Sequence, residues 1–345
     1  MKVITVSSAA EAIQWDAYVR SSVVAKGCHQ YGWRSVFVKS YRHPCHYLAA
    51  IAPTGKWRGI LPLVHVNSKI FGNNLVSLPF VNHGGLLCDE DLAGTMLLEA
   101  AEKLRGSCGA ASVELRHVSR TSDELPTKKH KVTMVLEMAS DIDSQWRAFD
   151  SKLRNQIRKA EKSDLRAAEG RLELLDGFYE VLARNMRDLG SPVHSKAFFR
   201  NVLEEFPGST KILAVYLNRK MIAAGIVSWF GDVIEIPWAS SNRDYNSFCP
   251  NNLLYWSAIR FAMGRGLKRF DFGRSTPNEG TYNFKKQWGA LPVQLNWQYL
   301  VGERDGVLKM DSSDRKYATA IAVWQRLPVL LTKIIGPSIR RSISL

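Results

Sequence analysis

LLYWSAIRFAMGRGLKRFDFGR, residues 253–274, is the stretch on which the fold turns. Apolar residues recur three and four positions apart up to Ala262, the pattern of one helix face. Gly264 and Gly266 break the run, and Phe270, Asp271 and Phe272 then alternate as in a short buried strand. An earlier stretch has the same order: LLEAAEKLRGSCGAASVELR, residues 97–116. Outward from these helices the match continues. YLAAIAPTGKWRGILPL (47–63) answers ILAVYLNRKMIAAGIVS (212–228), and NLVSLPF (74–80) answers VIEIPWA (233–239). An offset of about 155–165 residues makes each copy a domain-sized unit rather than a solenoid repeat.

Each copy therefore reads strand, turn, strand, strand, helix, strand. In the first, strands are expected at 46–52, 57–66, 74–80 and 111–116, with a helix over 91–104. Helical turns over 8–38 precede them. In the second, strands are expected at 212–217, 221–230, 233–239 and 269–272, with a helix over 251–264. This is a tandem α/β duplication. Between the copies, residues 150–162 form a strongly helical basic segment. Arg154, Arg158 and Lys162 fall one turn apart on one face, while Leu153 and Ile157 give it a packing side.

The composition bounds the function. The chain has 345 residues, 46% of them hydrophobic, and ten tryptophans, which support deep cores. A formal net charge of +15 favours anionic partners: nucleic acid, phosphorylated metabolites or an acidic membrane surface. Five cysteines without C-x-x-C spacing argue against a zinc site or a disulfide framework, so no metal is expected. No long apolar run is present and the N-terminus lacks a signal-peptide core, so the expectation is a cytoplasmic protein. The tail, 311–345, has a basic and an apolar side and is expected to pack on the body or to lie peripherally on the inner membrane. Ser-His-Asp spacing, a nucleophile elbow, a P-loop and G-x-G-x-x-G are all missing, which sets aside hydrolases, kinases and dinucleotide enzymes.

The chemistry concentrates in RFDFGRSTPNEGTYNFKKQWGA, residues 269–290. Arg274 follows the closing strand, where open α/β sheets place ligands, and suits phosphate or carboxylate. Lys285 and Lys286, read as strand neighbours, point to opposite faces, so one of them enters the cleft, taken as Lys285. Asp271 is a candidate base or orienting carboxylate. Tyr255, Tyr282 and Trp288 are candidate walls for an acceptor. His29 with Trp33, His83 before Gly84–Gly85, and His194 are candidate proton carriers or binding groups.

The segments LRNQIRKAEK (153–162), PNNLLYWSAIRFAMGRG (250–266), FDFGRS (270–275) and GTYNFKKQWGA (280–290), in this order, resemble the FemAB family of tandem GNAT acyltransferases. MRDLGSPVHSKAFF (186–199) and WQRLPVLLTKIIGP (324–337) are similar to the subgroup found beside exosortase (PEP-CTERM) and exopolysaccharide genes. The resemblance implies two GNAT-like domains, mixed sheets flanked by helices, over 1–145 and 146–310. It implies acyl or aminoacyl transfer to a nucleotide- or lipid-linked envelope or exopolysaccharide precursor. No cofactor is bound; acyl-CoA or aminoacyl-tRNA serves as co-substrate. The resemblance puts a substrate-contacting lysine at Lys285 or Lys286. With the residues read above, the candidate catalytic set is Asp271, Lys285 and His194, and the candidate substrate-binding set is Arg154, Arg158, Tyr255, Arg274, Tyr282, Lys286, Trp288, His29, Trp33 and His83. The loop 242–251, where acyl-CoA enzymes of this fold cradle a pyrophosphate, contains no glycine. An aminoacyl-tRNA-dependent ligase and a non-catalytic membrane-docked scaffold are the alternatives.

Overall fold

The computed structural model describes residues 1–118, 122, 124–302 and 315–343. β1 (Lys2–Thr5) leads into α1 (Ala9–Ser21). A reciprocal cap fixes the start of α1: Glu11 N donates to Ser8 Oγ at 3.2 Å, and Ser8 N donates to Glu11 Oε2 at 2.9 Å. Then follow α2 (Gly32–Tyr41), β2 (Cys45–Ile51), β3 (Trp57–Ser68), β4 (Gly72–Val76), β5 (Leu87–Cys88), α3 (Asp91–Ser107), β6 (Ser112–His117) and β7 (Thr127–Lys128). Next come β8 (Val132–Glu137), α4 (Ile142–Ala148) and the basic helix α5 (Ser151–Lys162). The second copy contributes β9 (Leu165–Gly170), α6 (Leu175–Asp188), α7 (Lys196–Glu205), β10 (Thr210–Leu217), β11 (Lys220–Phe230), β12 (Val233–Ser241), α8 (Pro250–Met263) and β13 (Arg269–Ser275). Then come α9 (Gly280–Lys286), β14 (Leu291–Gln294), β15 (Asn296–Val301), α10 (Arg315–Arg326) and α11 (Val329–Arg340).

The expected strands and helices are found in both copies. The exception in length is 74–80, which leaves the sheet at Val76 because Leu78 and Phe80 take left-handed φ of 57° and 73°.

Two mixed sheets result. One runs β1-β2-β3-β4-β6-β15-β7, with β5 on β3; the other runs β14-β8-β13-β12-β11-β10-β9. In the second, Ile222, Val227, Ile234, Leu254, Ile259 and Phe270 are fully buried together. α8 packs on β10 and β11 and against the apolar side of α5, where Leu153, Ile157 and Ala160 are buried. α5 is started by Asp150, whose Oδ1 accepts from Leu153 N at 2.6 Å.

The two sheets trade strands. β8 follows the first copy in sequence but pairs antiparallel with β13, from Arg269↔Glu137 to Ser275↔Val132. β15 follows the second copy but pairs antiparallel with β6, from Asn296↔His117 to Val301↔Ser112. One compact unit therefore comprises the chain up to His130 together with β15; the other comprises Lys131–Val293 with α10 and α11. The boundaries expected from the sequence are 1–145, 146–310 and 311–345. They place β8 with the first copy and β15 with the second, and 145 falls inside α4. Repetition locates elements, but strand partners are chosen by pairing distant in sequence.

The exchange has a measurable consequence. Trp297 of β15 is 1% exposed and lies under the Arg116 guanidinium at 4.4 Å. Trp297→Ala is expected to destabilise by about 3–5 kcal/mol. Limited proteolysis of this variant should cut residues 1–130 before 131–293. Earlier cleavage of the second unit would contradict the assignment of β15 to the first sheet.

Candidate active site

β12 and β13 are parallel, and they pair only at Val233↔Arg269, Ile234↔Phe270 and Glu235↔Asp271. Beyond Asp271, β13 turns on Gly273, whose φ is 77°, and its register against β8 breaks before Arg274. On β12, Glu235 faces Ser228 and Trp238 faces Ile226, so Ile236 and Pro237 together oppose Val227 as a bulge. Both strands thus depart from regular pairing at the same level. They part at their C-terminal ends, where open α/β sheets take ligands.

Lys285 sits at this parting. The segment with the twin lysines is helix α9, not a strand, so the two side chains diverge by the turn of a helix. Lys285 is 7% exposed and Lys286 lies on the exposed side. Lys285 Nζ donates to Gly273 O and Arg274 O, each at 2.9 Å. An ammonium has three donors, and these two bonds leave one. Burial pulls this amine down to about 8; the Asp271 charge opposes the shift and Arg274 adds to it. Asp271 is 2% exposed. Its Oδ1 accepts from Thr133 Oγ1 at 2.5 Å and from Gly273 N at 2.8 Å, which holds the turn in β13.

A further cation joins them. Lys131 Nζ donates to Thr276 Oγ1 at 2.6 Å. Its amine is held below the usual lysine range by burial and then by the charge of Arg274, against the pull of Glu279. Lys131, Arg274 and Lys285 therefore gather around the end of β13. Lys131 escaped the sequence reading because it follows the first copy, and only the exchange of β8 brings it here.

The remaining candidates divide. Tyr255 stacks on Phe272 at 5.4 Å and 15°, and Trp288 is 1% exposed within the same aromatic group. Both are core, not acceptor walls; burial holds the Tyr255 hydroxyl above its usual range. Tyr282 is half-buried against that core. Arg154 is half-buried on α5, and Arg158 is exposed with its guanidinium 5.4 Å from the Trp146 ring. Gln156 of the same helix accepts from Asn252 Nδ2 at 3.2 Å, which sets the basic helix beside the start of α8. His194 is buried, stacked on Phe198 at 4.6 Å, and its Nε2 accepts from Arg340 Nε at 3.1 Å. Burial, then the Arg340 charge, holds it well below the usual histidine range. This setting is structural and gives no place for the catalytic role expected of it.

The first unit repeats the parting and fills it. β4 and β6 pair in parallel only at Asn74↔Ser112, Leu75↔Val113 and Val76↔Glu114. Arg116, fully buried, donates to Glu114 Oε1 at 2.7 Å and to Val81 O at 3.1 Å. Gly85 lies so close to His117 that a Cβ would come within 2.0 Å of its ring. His83 is buried in this loop. His29 is buried with Nδ1 accepting from Lys26 N at 3.0 Å; burial, then Lys26, lowers it to about 4. Trp33 is buried with Nε1 donating to Gly27 O at 3.1 Å. These three are interior packing residues of the first unit.

The loop before α8 carries a short 3-10 turn over Arg243–Phe248. Cys249 follows in a left-handed conformation, φ 57°, and Pro250 opens the helix. Proline has no N–H, so the first turn offers one donor fewer to an anion.

The Acetyltransferase (GNAT) domain family matches residues 147–286. Over 175 residues the chain is 22% identical to lipid II:glycine glycyltransferase of Staphylococcus haemolyticus (strain JCSC1435), covering 49% of this chain and 36% of that relative. The chain thus spans about a third of the length of this curated relative. Among solved structures, FemX is similar with a TM-score of 0.66 at 14% identity, covering 87% of this chain and 98% of FemX. A tandem GNAT protein from the clavulanic acid biosynthesis pathway has a TM-score of 0.53 at 10% identity, covering 89% and 99%. These likenesses share the fold described above.

The buried amine sets a pH signature. Its folded value, about 8, lies below the ordinary 10.5, so the unfolded chain binds this proton more tightly. Stability therefore rises with pH from about 8 to about 10.5, and the cost of the buried charge is present in full below that window. Lys285→Met should flatten this rise in denaturant unfolding measured across the window. An unchanged pH slope in the variant would refute the assignment.

Proposed function

We propose that this chain, a member of the FemAB-like tandem GNAT family, transfers an acyl or aminoacyl group to an amine or hydroxyl of a phosphate-bearing envelope precursor. The observation that carries this reading is the gathering of Lys131, Arg274 and Lys285 at the parting of β12 and β13. An extended donor can lie along the open edge of β12, taking up backbone groups that β13 no longer pairs. Lys285 stands where the third hydrogen of its ammonium can meet negative charge developing on the donor carbonyl. Lys131 and Arg274 hold a phosphate of the acceptor. The acceptor heteroatom bonds to the carbonyl carbon, and the bond from that carbon to the leaving group breaks. The acceptor gives up one proton and the leaving group takes one up. Positioning supplies much of the rate, with Asp271 acting through the turn that it holds.

The favoured donor is an aminoacyl ester, with tRNA as its carrier. The glycine-free loop, the left-handed Cys249 and Pro250 at the first position of α8 give a poor pyrophosphate cradle for acyl-CoA. A net charge of +15 suits a nucleic-acid carrier. The resemblance of 186–199 to the exosortase-linked subgroup points to an exopolysaccharide-side acceptor.

A specific observation also supports docking on a lipid surface. One side of α11 packs inward through Thr332 and Gly336, and Lys333 pairs with Glu180. On the same helical tail Val323, Leu330 and Ile334 are 54%, 68% and 66% exposed, in a segment rich in arginine and lysine and without an acid. No helix among the described residues is long and apolar enough to cross a membrane.

Transfer assays with labelled aminoacyl-tRNA and with labelled acyl-CoA test the reading. Lys285→Met is expected to lower kcat by about 10²–10³-fold, as loss of an oxyanion donor does. Arg274→Ala should act mainly on KM for the acceptor. Full activity in both variants would remove the site, and turnover with acyl-CoA alone would overturn the donor. Separately, the full chain should co-sediment with phosphatidylglycerol vesicles, and Leu330→Asp with Ile334→Asp should abolish this. Binding unaffected by the double substitution would rule out the helical tail as the docking surface.

A further inference from the structure

Away from the parted strands, the first unit holds a second constellation. His46 on β2, His65 on β3 and Cys108 just past α3 each place one donor atom within 4.8 Å of the other two. We propose that these three residues form a zinc site that fastens the α3–β6 turn to the β2–β3 hairpin.

The donor chemistry comes first. Two imidazoles and a thiolate are a zinc set, with room for water as fourth ligand. The Nε2 of His46 is buried and has no hydrogen-bond partner among the described residues. A buried polar atom left in this way is costly unless something occupies its lone pair.

The supporting shell is also in place. Asn73, at the start of β4, serves two of the three ligands. Its Oδ1 meets His65 Nε2 at 2.5 Å, and its Nδ2 donates to Cys108 O at 3.1 Å and to Gly109 O at 2.9 Å. With the His65 proton given to Asn73 through Nε2, the lone pair of that ring rests on Nδ1. One amide thus orients an imidazole and holds the backbone of the cysteine, the task of an outer-shell partner. His43 lies near His65, but its Nε2 is engaged by Arg341 O at 2.9 Å, so it stays outside the set. Arg34 is the neighbouring cation that opposes a metal charge at His46, and the Cys108 thiolate offsets it. Binding sends the thiol proton to solvent.

The location points to a structural role. Ala111 N donates to Asn73 O at 2.8 Å where β6 enters the sheet beside β4. The strands part at their other end, after Val76↔Glu114. Cys108 thus lies where β6 enters the sheet, while His46 and His65 stand on the adjoining hairpin opposite Leu63 and Leu75, so the metal would tie the α3–β6 turn to that hairpin. The spacing along the chain, which argued against zinc, says nothing here. His46 and His65 meet through the β2–β3 ladder, and Cys108 arrives through the Asn73 tie.

The full chain, stripped with a chelator, is titrated with Zn²⁺ by calorimetry and with Co²⁺ by absorption spectroscopy. The expected result is one equivalent per chain, a thiolate-to-cobalt charge-transfer band, and a zinc-dependent rise in Tm. Cys108→Ser should abolish the band, His46→Gln should weaken binding, and Cys45→Ser should leave both unchanged. Asn73→Ala should lower affinity by about 10–100-fold. Should Cys108→Ser fail to fold by circular dichroism, His46→Gln and Asn73→Ala carry the test. No bound equivalent, a cobalt spectrum without thiolate character, or equal affinity in His46→Gln would overturn the proposal.

Discussion

The seat of the Lys285 ammonium on two consecutive carbonyls is the constraint around which the second unit is arranged. In a regular strand, successive carbonyls point to opposite edges. Gly273 and Arg274 turn theirs to one amine because Gly273 holds a φ of 77°, which a residue with a Cβ adopts at a cost of about 1–2 kcal/mol. The same turn removes the Gly273 N–H from the ladder, and Asp271 takes it up. Thr133 on β8 then holds Asp271. Amine, turn, carboxylate and hydroxyl form one chain of dependence, and the strand parting and the cation's position follow from it, while burial of the amine lowers its affinity for protons against the Asp271 charge.

The duplication makes the meaning of this arrangement visible, because the same strand pairing occurs twice with opposite outcomes. In register, Glu114 stands where Asp271 stands, each the last residue before its parallel pair separates. In the first unit, Arg116 closes the gap with a fully buried ion pair over Trp297. A buried pair of this kind is costly to desolvate and holds only because its hydrogen bonds are met, here by Glu114 and Val81 O. In the second unit Arg274 is half-buried and Lys285 enters from a helix. One copy fills its parting with a buried ion pair, and the other gathers three cations at its own.

Much of this was legible in the sequence, and the limits have physical causes. The strands and helices of both copies follow from apolar period and from glycine breaks, which are local signals. Arg274 and Lys285 were legible because a charge beside a short buried strand is conspicuous. The geometry of the twin lysines was not, since NFKKQWG has no period strong enough to separate a seven-residue helix from a strand. Tyr255 and Trp288 were misread as walls because aromatic residues look alike whether they line a cleft or fill a core. His194 depended on Arg340, which lies far along the chain and reaches it only through the packing of α11.

The exchange of strands bears most directly on what the molecule can do. The GNAT match begins at residue 147, after β8 has ended. A unit cut to those bounds would keep Arg274 and Lys285 but lose Lys131, a third cation of the group, and Thr133, which holds Asp271 in place. The strand next to β13 would be missing, and the turn at Gly273 would lose one of its two flanking ladders. The unit that carries the three cations is thus incomplete without a segment that follows the first copy in sequence. The first copy, whose own parting is sealed by Arg116, is in this sense retained by the site through the strand that its chain delivers.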